Sequence, residues 1–319
     1  MRKTFKTLMV TGGLAAVLPL VGVTAAPAVA VPTPSVVYDA IPALLPSNVA
    51  SLGFQATSTS QFGDFVHLAG TSRVLQKITV TMSDWALYAD YSVAPLYMAN
   101  SVNWTHPITV NVYSSHLAVN GVPDTLLATR TQTVTIPWRP AQDPINCPTK
   151  DSPGYAYKWQ STPGLPDTNC SNGFAFNASF DFSSLNVTLL NDVIVGVAYS
   201  TQSYGTTPLG VNGPYNSLNV GVATGQTASV GTDDNPDIVF WSTSYGGFYT
   251  DGGASGVGIF RQDTRWTGNG TVNLRITASV PLVGPPTDKN QCKNGGWASF
   301  NNPSFKNQGD CVSSVATNQ

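Results

Sequence analysis

Aspartate is the chain's only acidic residue type: the 17 acidic side chains are all Asp, and Glu is absent. The HExxH arrangement of a zinc protease cannot be built without Glu, and no P-loop or GxGxxG turn is present. Gly253-Ala254-Ser255 is followed by Gly256 and then Val257, so a GxSxG nucleophile elbow fails at its second glycine. His67, His106 and His116 show no i,i+2 or i,i+4 spacing and read as hydrogen-bonded structural side chains. A Ser–His–Asp triad is defined by geometry in space, and nothing in the sequence selects one. Glycoside hydrolysis needs a carboxylic acid and a carboxylate at a set separation. The many Asp residues make such a pair available without marking it.

Two patterns are sharper. Asp233, Asn235 and Asp237 offer oxygens at alternate positions, as a hard cation such as a structural calcium requires. Pro236 interrupts the run, Ile238 stands where an EF-hand has Gly, and the closing Glu is missing, so the plainer reading is an Asp-rich turn before a strand. No other cofactor is expected. Second, the loops carry many rings: Trp85, Tyr88, Tyr91, Trp104, Trp159, Tyr245, Tyr249 and Trp266. Exposed rings stack on sugars while Asp and Asn contact hydroxyls, and amphipathic aromatics are enriched at binding surfaces. Tyr245, Tyr249, Asp251 and Trp266 form the candidate ligand group; the alternative is that such rings cap the ends of the fold.

The elements that would position these residues are strands. Phe174, Phe176, Ala178, Phe180 and Phe182 occupy every second position, which puts four rings on one strand face. Asp192–Ser200 follows with Val193, Val195, Val197 and Tyr199 on one face and Ile194, Gly196 and Ala198 on the other, as in a strand covered on both sides. Residues 64–69, 74–82, 107–113, 126–138, 218–222, 238–243 and 272–280 read as further strands, and 52–60 as a first edge strand. No dozen-residue window shows a 3.6-residue period beyond the first 30 residues. A face of four rings must be covered by a second layer. The expected fold is therefore all-β: an antiparallel, jelly-roll-like β-sandwich over 52–281, preceded by an extended arm at 31–51. A linker at 282–287 leads to a small disulfide-tied segment at 288–319.

Cys147 and Cys170 bracket a loop rich in Pro, Gly and Asp, and Cys292 and Cys311 bracket the tail. Of three pairings, the two local ones are expected, because each closes a segment with little other support. The rival is a zinc site, but neither pair has CxxC-type spacing. Disulfides suit export, and the N-terminus reads the same way. Met1–Lys6 is basic, Thr7–Thr24 is mostly apolar, and Ala28-Val29-Ala30 is a small-x-small site, so a signal peptide cleaved between Ala30 and Val31 is expected. No second apolar run of spanning length follows, so no integral membrane span is expected after processing. Losing Arg2, Lys3 and Lys6 would make the chain more acidic than its formal net charge of −2, which leaves no footprint for nucleic acid.

In the tail, Cys292, Lys293, Gly295, Gly296, Trp297, Phe300, Phe305, Lys306, Asn307, Gln308, Gly309, Asp310, Cys311 and Val312 closely match a recurring pattern. They resemble a short C-terminal signature of secreted bacterial, especially actinobacterial, proteins. The larger part, with its VIVGVAY run, is similar to secreted bacterial β-sandwich proteins of no assigned activity. Neither resemblance carries over a catalytic residue. The expectation is a secreted, extracellular or cell-surface binding or structural protein, with cell-wall or extracellular polysaccharide as its first ligand. An extracellular polysaccharide hydrolase and an adhesion or protein-interaction module are the alternatives.

Overall fold

The computed structural model describes residues 33–91, 102–150, 156–161, 169–223 and 228–317. The expected leader, with Ala30 and Val31, lies outside them. The chain divides into a large unit, Pro32–Leu282, and a small one that includes Val283–Gln319.

Among the described residues of the large unit the strands are β1 (Ser35–Asp39), β2 (Ser51–Gly53), β3 (Thr59–His67), β4 (Val74–Asp84), β5 (Asn103–Ser114), β6 (Leu126–Pro137), β7 (Trp159–Gln160), β8 (Cys170–Ser171), β9 (Phe174–Asp181), β10 (Asp192–Ala198), β11 (Leu218–Gly221), β12 (Val239–Thr243), β13 (Arg261–Asp263) and β14 (Leu274–Ser279). A short helix, α1 (Tyr88–Tyr91), follows β4. One six-stranded sheet runs β13-β12-β3-β10-β5-β6. The other is organised on β4, which pairs with β9 along one edge and with β14 and then β11 along the other. β1 extends this sheet beyond β14 and β2 extends it beyond β11. All these pairings are antiparallel, and successive strands such as β3, β4 and β5 alternate between the two sheets. This winding produces the expected sandwich.

Inward side chains of both sheets make one core. Phe62, Trp104, Val110, Val195 and Trp241 come from one sheet; Ile78, Val80, Met82, Phe180 and Ile276 come from the other. Phe180 and Phe182 are fully buried, and burying each such ring stabilises the fold by roughly 1.5–3 kcal/mol. β10 is covered on both faces: Val195 and Val197 point into the core, and Gly196 points outward. There it lies beside Gly63 of β3, and a Cβ on Gly196 would stand 2.2 Å from the Gln61 amide and 2.8 Å from the Phe260 ring. The Phe260 ring thus fills the space that the missing side chain leaves.

Within the segment expected as an extended arm, β1 joins the sheet. Val37 and Tyr38 are buried, and β1 pairs with β14; alternation too short to stand out in the sequence is enough once β14 supplies an edge. Both expected disulfides are present, Cys147–Cys170 and Cys292–Cys311. The first ties the loop beside the two-stranded β7–β8 ladder.

The small unit closes on its own staple. Cys292, Cys311 and Val315 are its buried residues, with Trp297, Phe300, Phe305 and Val312 packed around them. Asp288 starts a helical turn through a capping box with Gln291. The segment ends in α2 (Gln308–Thr317), a helix absent from the sequence reading. At ten residues α2 is shorter than the window searched. Its inward face is Cys311 and Val315, one turn apart, too little to register as a period.

Candidate functional site

The residues proposed as a ligand group divide between structural and accessible roles. Tyr249 is buried: its hydroxyl accepts from the Thr243 N–H at 3.1 Å and lies 3.1 Å from the Trp241 carbonyl and 3.0 Å from that of Ile259. The Arg261 guanidinium sits 3.8 Å over its ring. Arg261 also donates to the Gly256 carbonyl at 2.9 Å and to Asp251 Oδ1 at 2.8 Å. Burial pulls the Asp251 carboxyl upward, but the Arg261 guanidinium and the Gly253 and Ser255 N–H groups together hold it well below the usual carboxylate range. Tyr249 is therefore an internal support of the 244–260 loop, while Asp251 stays exposed and is tied to that loop through Arg261, Gly253 and Ser255. Only Tyr245, packed edge-on against Phe248, keeps its ring exposed.

Trp266 lines the larger cleft. Its ring rests on Phe62 and Trp241, at centroid distances of 5.4 and 5.1 Å, and its indole N–H donates to Asp263 Oδ2 at 2.8 Å. The residues read as a cation loop hold this loop in position. The Asp237 carbonyl accepts the Trp266 N–H at 2.8 Å, and Asp233 Oδ2 accepts the Thr271 hydroxyl at 2.5 Å. Asp233 Oδ1 accepts the Asn235 N–H at 3.1 Å, closing the Asp-rich turn. Burial, offset by these bonds, leaves the Asp233 carboxyl above its ordinary value. Among the described residues no group of three or more His, Cys or Asp side chains is gathered as a metal would need.

The cleft beside Trp266 has a volume of about 930 Å³. Trp85, Phe248 and Trp266 supply its rings, and Asn216, Asn219 and Asn269 supply amides. Asp263 and Arg265 are its charged residues. Asp263 is buried, and both carboxylate oxygens are engaged: Oδ1 accepts the Thr250 N–H at 3.0 Å and hydroxyl at 2.8 Å, and Oδ2 accepts the Trp266 indole. Arg265 is exposed. Sequence reasoning found Trp266 and listed Trp85 among the rings. It missed Phe248, Arg265 and the asparagines, which come together only when the β12–β13 loop, the turn leading into β11, β11 itself and the loop after β13 meet.

Other titratable groups serve the interior. Asp84, at the end of β4, is fully buried, and burial pushes its carboxyl up to about 8 against the lowering effect of the Trp104 indole and Ala86 N–H groups and of Arg139. Asp64 is raised by burial first and then by Asp233, although the Phe65 and Val272 N–H groups donate to it. His106 packs against Tyr199 and Tyr215, and burial lowers it to about 4. Trp104 and Trp159, expected as loop rings, are buried. No family model, curated protein or solved structure matches the chain.

Proposed function

We propose that the protein is an exported, non-catalytic binding protein whose sandwich takes a carbohydrate or cell-wall polymer in the Trp266 cleft. The observation that carries this reading is the open cleft in which Trp85, Phe248 and Trp266 share walls with Asn216, Asn219 and Asn269. Pyranose rings present apolar C–H faces to stack on, and Trp85, Phe248 and Trp266 offer the matching surface in the cleft. Glycoside hydrolysis would need two carboxyl groups flanking a bond. The cleft is lined by one, Asp263, and its oxygens are already hydrogen-bonded within the protein. The two disulfides fit an oxidising compartment, and the tail's resemblance to a signature of secreted proteins favours the same location.

The test is retention on a panel of insoluble glycans. Trp266→Ala and Trp85→Ala should each lower retention at least tenfold, equivalent to about 1.4 kcal/mol, while Tyr245→Ala, outside the cleft, leaves it unchanged. Equal retention of wild type and both Trp variants would remove the reading, as would retention on no glycan at all. Release of reducing ends from any member of the panel would replace it with the hydrolase.

A further inference from the structure

The two arginines of the β13 region lie four residues apart and have opposite fates. Arg261 is buried, stacked on Tyr249 and paired with Asp251. Arg265 is exposed, lines the cleft, and makes no hydrogen bond or ion pair within the described residues. Its backbone is left-handed, with φ 67°. That conformation is disfavoured for a residue with a side chain, and glycine or asparagine would occupy it at lower cost. A residue held at such a torsion beside a cleft points to a role for its side chain, because turn formation alone would be better served by Gly.

The electrostatics of the cleft follow from the same residues. Its one carboxylate, Asp263, is buried and accepts three hydrogen bonds. The charge that faces the open cleft is the Arg265 guanidinium. A planar guanidinium fork matches an oxyanion with two parallel N–H···O bonds, whereas a neutral sugar hydroxyl uses only one of its donors.

We propose that the cleft selects an anionic glycan: a pyranose ring seated against Trp266, with its carboxylate or phosphate group bound by Arg265. This rests on the glycan reading above and specifies its ligand class. Either oxyanion would satisfy the guanidinium, so the test includes both.

The full-length processed protein would be titrated with polygalacturonate, a phosphorylated mannan and a neutral xylan. Tighter binding of one or both anionic polymers by at least tenfold, weakening as salt rises from low to physiological ionic strength, is the expected result; the preferred polymer identifies the oxyanion. Arg265→Gln should abolish that preference, and Arg265→Lys should restore part of it. Arg265→Gly removes the charge and relieves the backbone, so it should melt at or above the wild-type temperature while losing the preference, which separates recognition from folding. Equal affinity for neutral and anionic polymers, or an unchanged preference in Arg265→Gly, would overturn the proposal. If neutral xylan alone binds and Trp266→Ala abolishes it, the anionic proposal fails and the glycan reading stands. If no polymer binds, both fail.

Discussion

Two half-cystines and Val315 make up the buried interior of the tail, whereas the interior of the sandwich runs through both sheets, from Phe62 and Val195 to Ile78 and Phe180. The tail is far below the size at which apolar burial alone offsets chain entropy, so a covalent link must supply what area cannot. The sandwich is large enough to fold on its packing, and its own bridge ties a loop rather than the core. One chain thus contains a packed domain and a stapled one, and each should fail under a different insult.

The largest effect should come from hollowing out the packed part. Phe180→Ala removes a fully buried ring from β9 and should cost the sandwich about 3–5 kcal/mol, read as a shifted denaturant midpoint, while protease resistance of residues 283–319 is unchanged. The reciprocal change, Cys292→Ser with Cys311→Ser, removes about 3 kcal/mol of chain restriction. For so small a unit this should abolish folding, seen as rapid proteolysis beyond Leu282 with the sandwich melting unaltered. If both parts responded together to either change, the division of labour would be wrong.

Depth of burial gives the sandwich a pH response. Folding keeps the Asp84 carboxyl protonated up to about 8, while the unfolded chain ionises near the ordinary 3.8. Between those values the folded state holds the extra proton, so this residue's contribution to stability is present below 3.8 and is lost as pH rises towards 8. The slope cannot exceed about 1.4 kcal/mol per pH unit. Asp84→Asn should flatten that decline in a melting series, and an unchanged slope would reject the assignment. The smallest effect expected is at the Asp-rich turn: Thr271→Val removes one hydrogen bond to Asp233, about 0.5–1.5 kcal/mol. It should weaken glycan retention more than it lowers the melting temperature, because the bond holds the Trp266 loop.

Much of the sandwich was legible because period-two alternation is a strong signal when a strand is long and one-sided. β9 and β10 are the clearest cases, and β4, β5 and β14 follow them. β1 and β13, of five and three residues, are strands because a neighbour offers an edge, and a linear reading has no access to that neighbour; the span 52–60, expected as one edge strand, is split by a turn into the edge strand β2 and the start of β3. The candidate site was legible only in part for a related reason. Trp266 could be picked by residue type, but Tyr249 is also an amphipathic ring and is used internally. What separates them is Arg261, twelve residues further on, whose guanidinium lies over the Tyr249 ring. No spacing rule distinguishes a clasped tyrosine from an open one. The disulfides were legible because each loop had little else to hold it.

The bare backbone at Gly196 has an effect beyond its own strand. Phe260 occupies the space above it, and the next residue along the chain is Arg261. Two residues further on, Asp263 grips the Trp266 indole. A methyl group introduced at position 196 would crowd the Gln61 amide first and then the Phe260 ring, five residues or fewer from the cleft residues Asp263 and Arg265. The outward surface of the six-stranded sheet thus bears on the cleft: substitutions there should shift the orientation of the Trp266 indole, read as a changed tryptophan fluorescence.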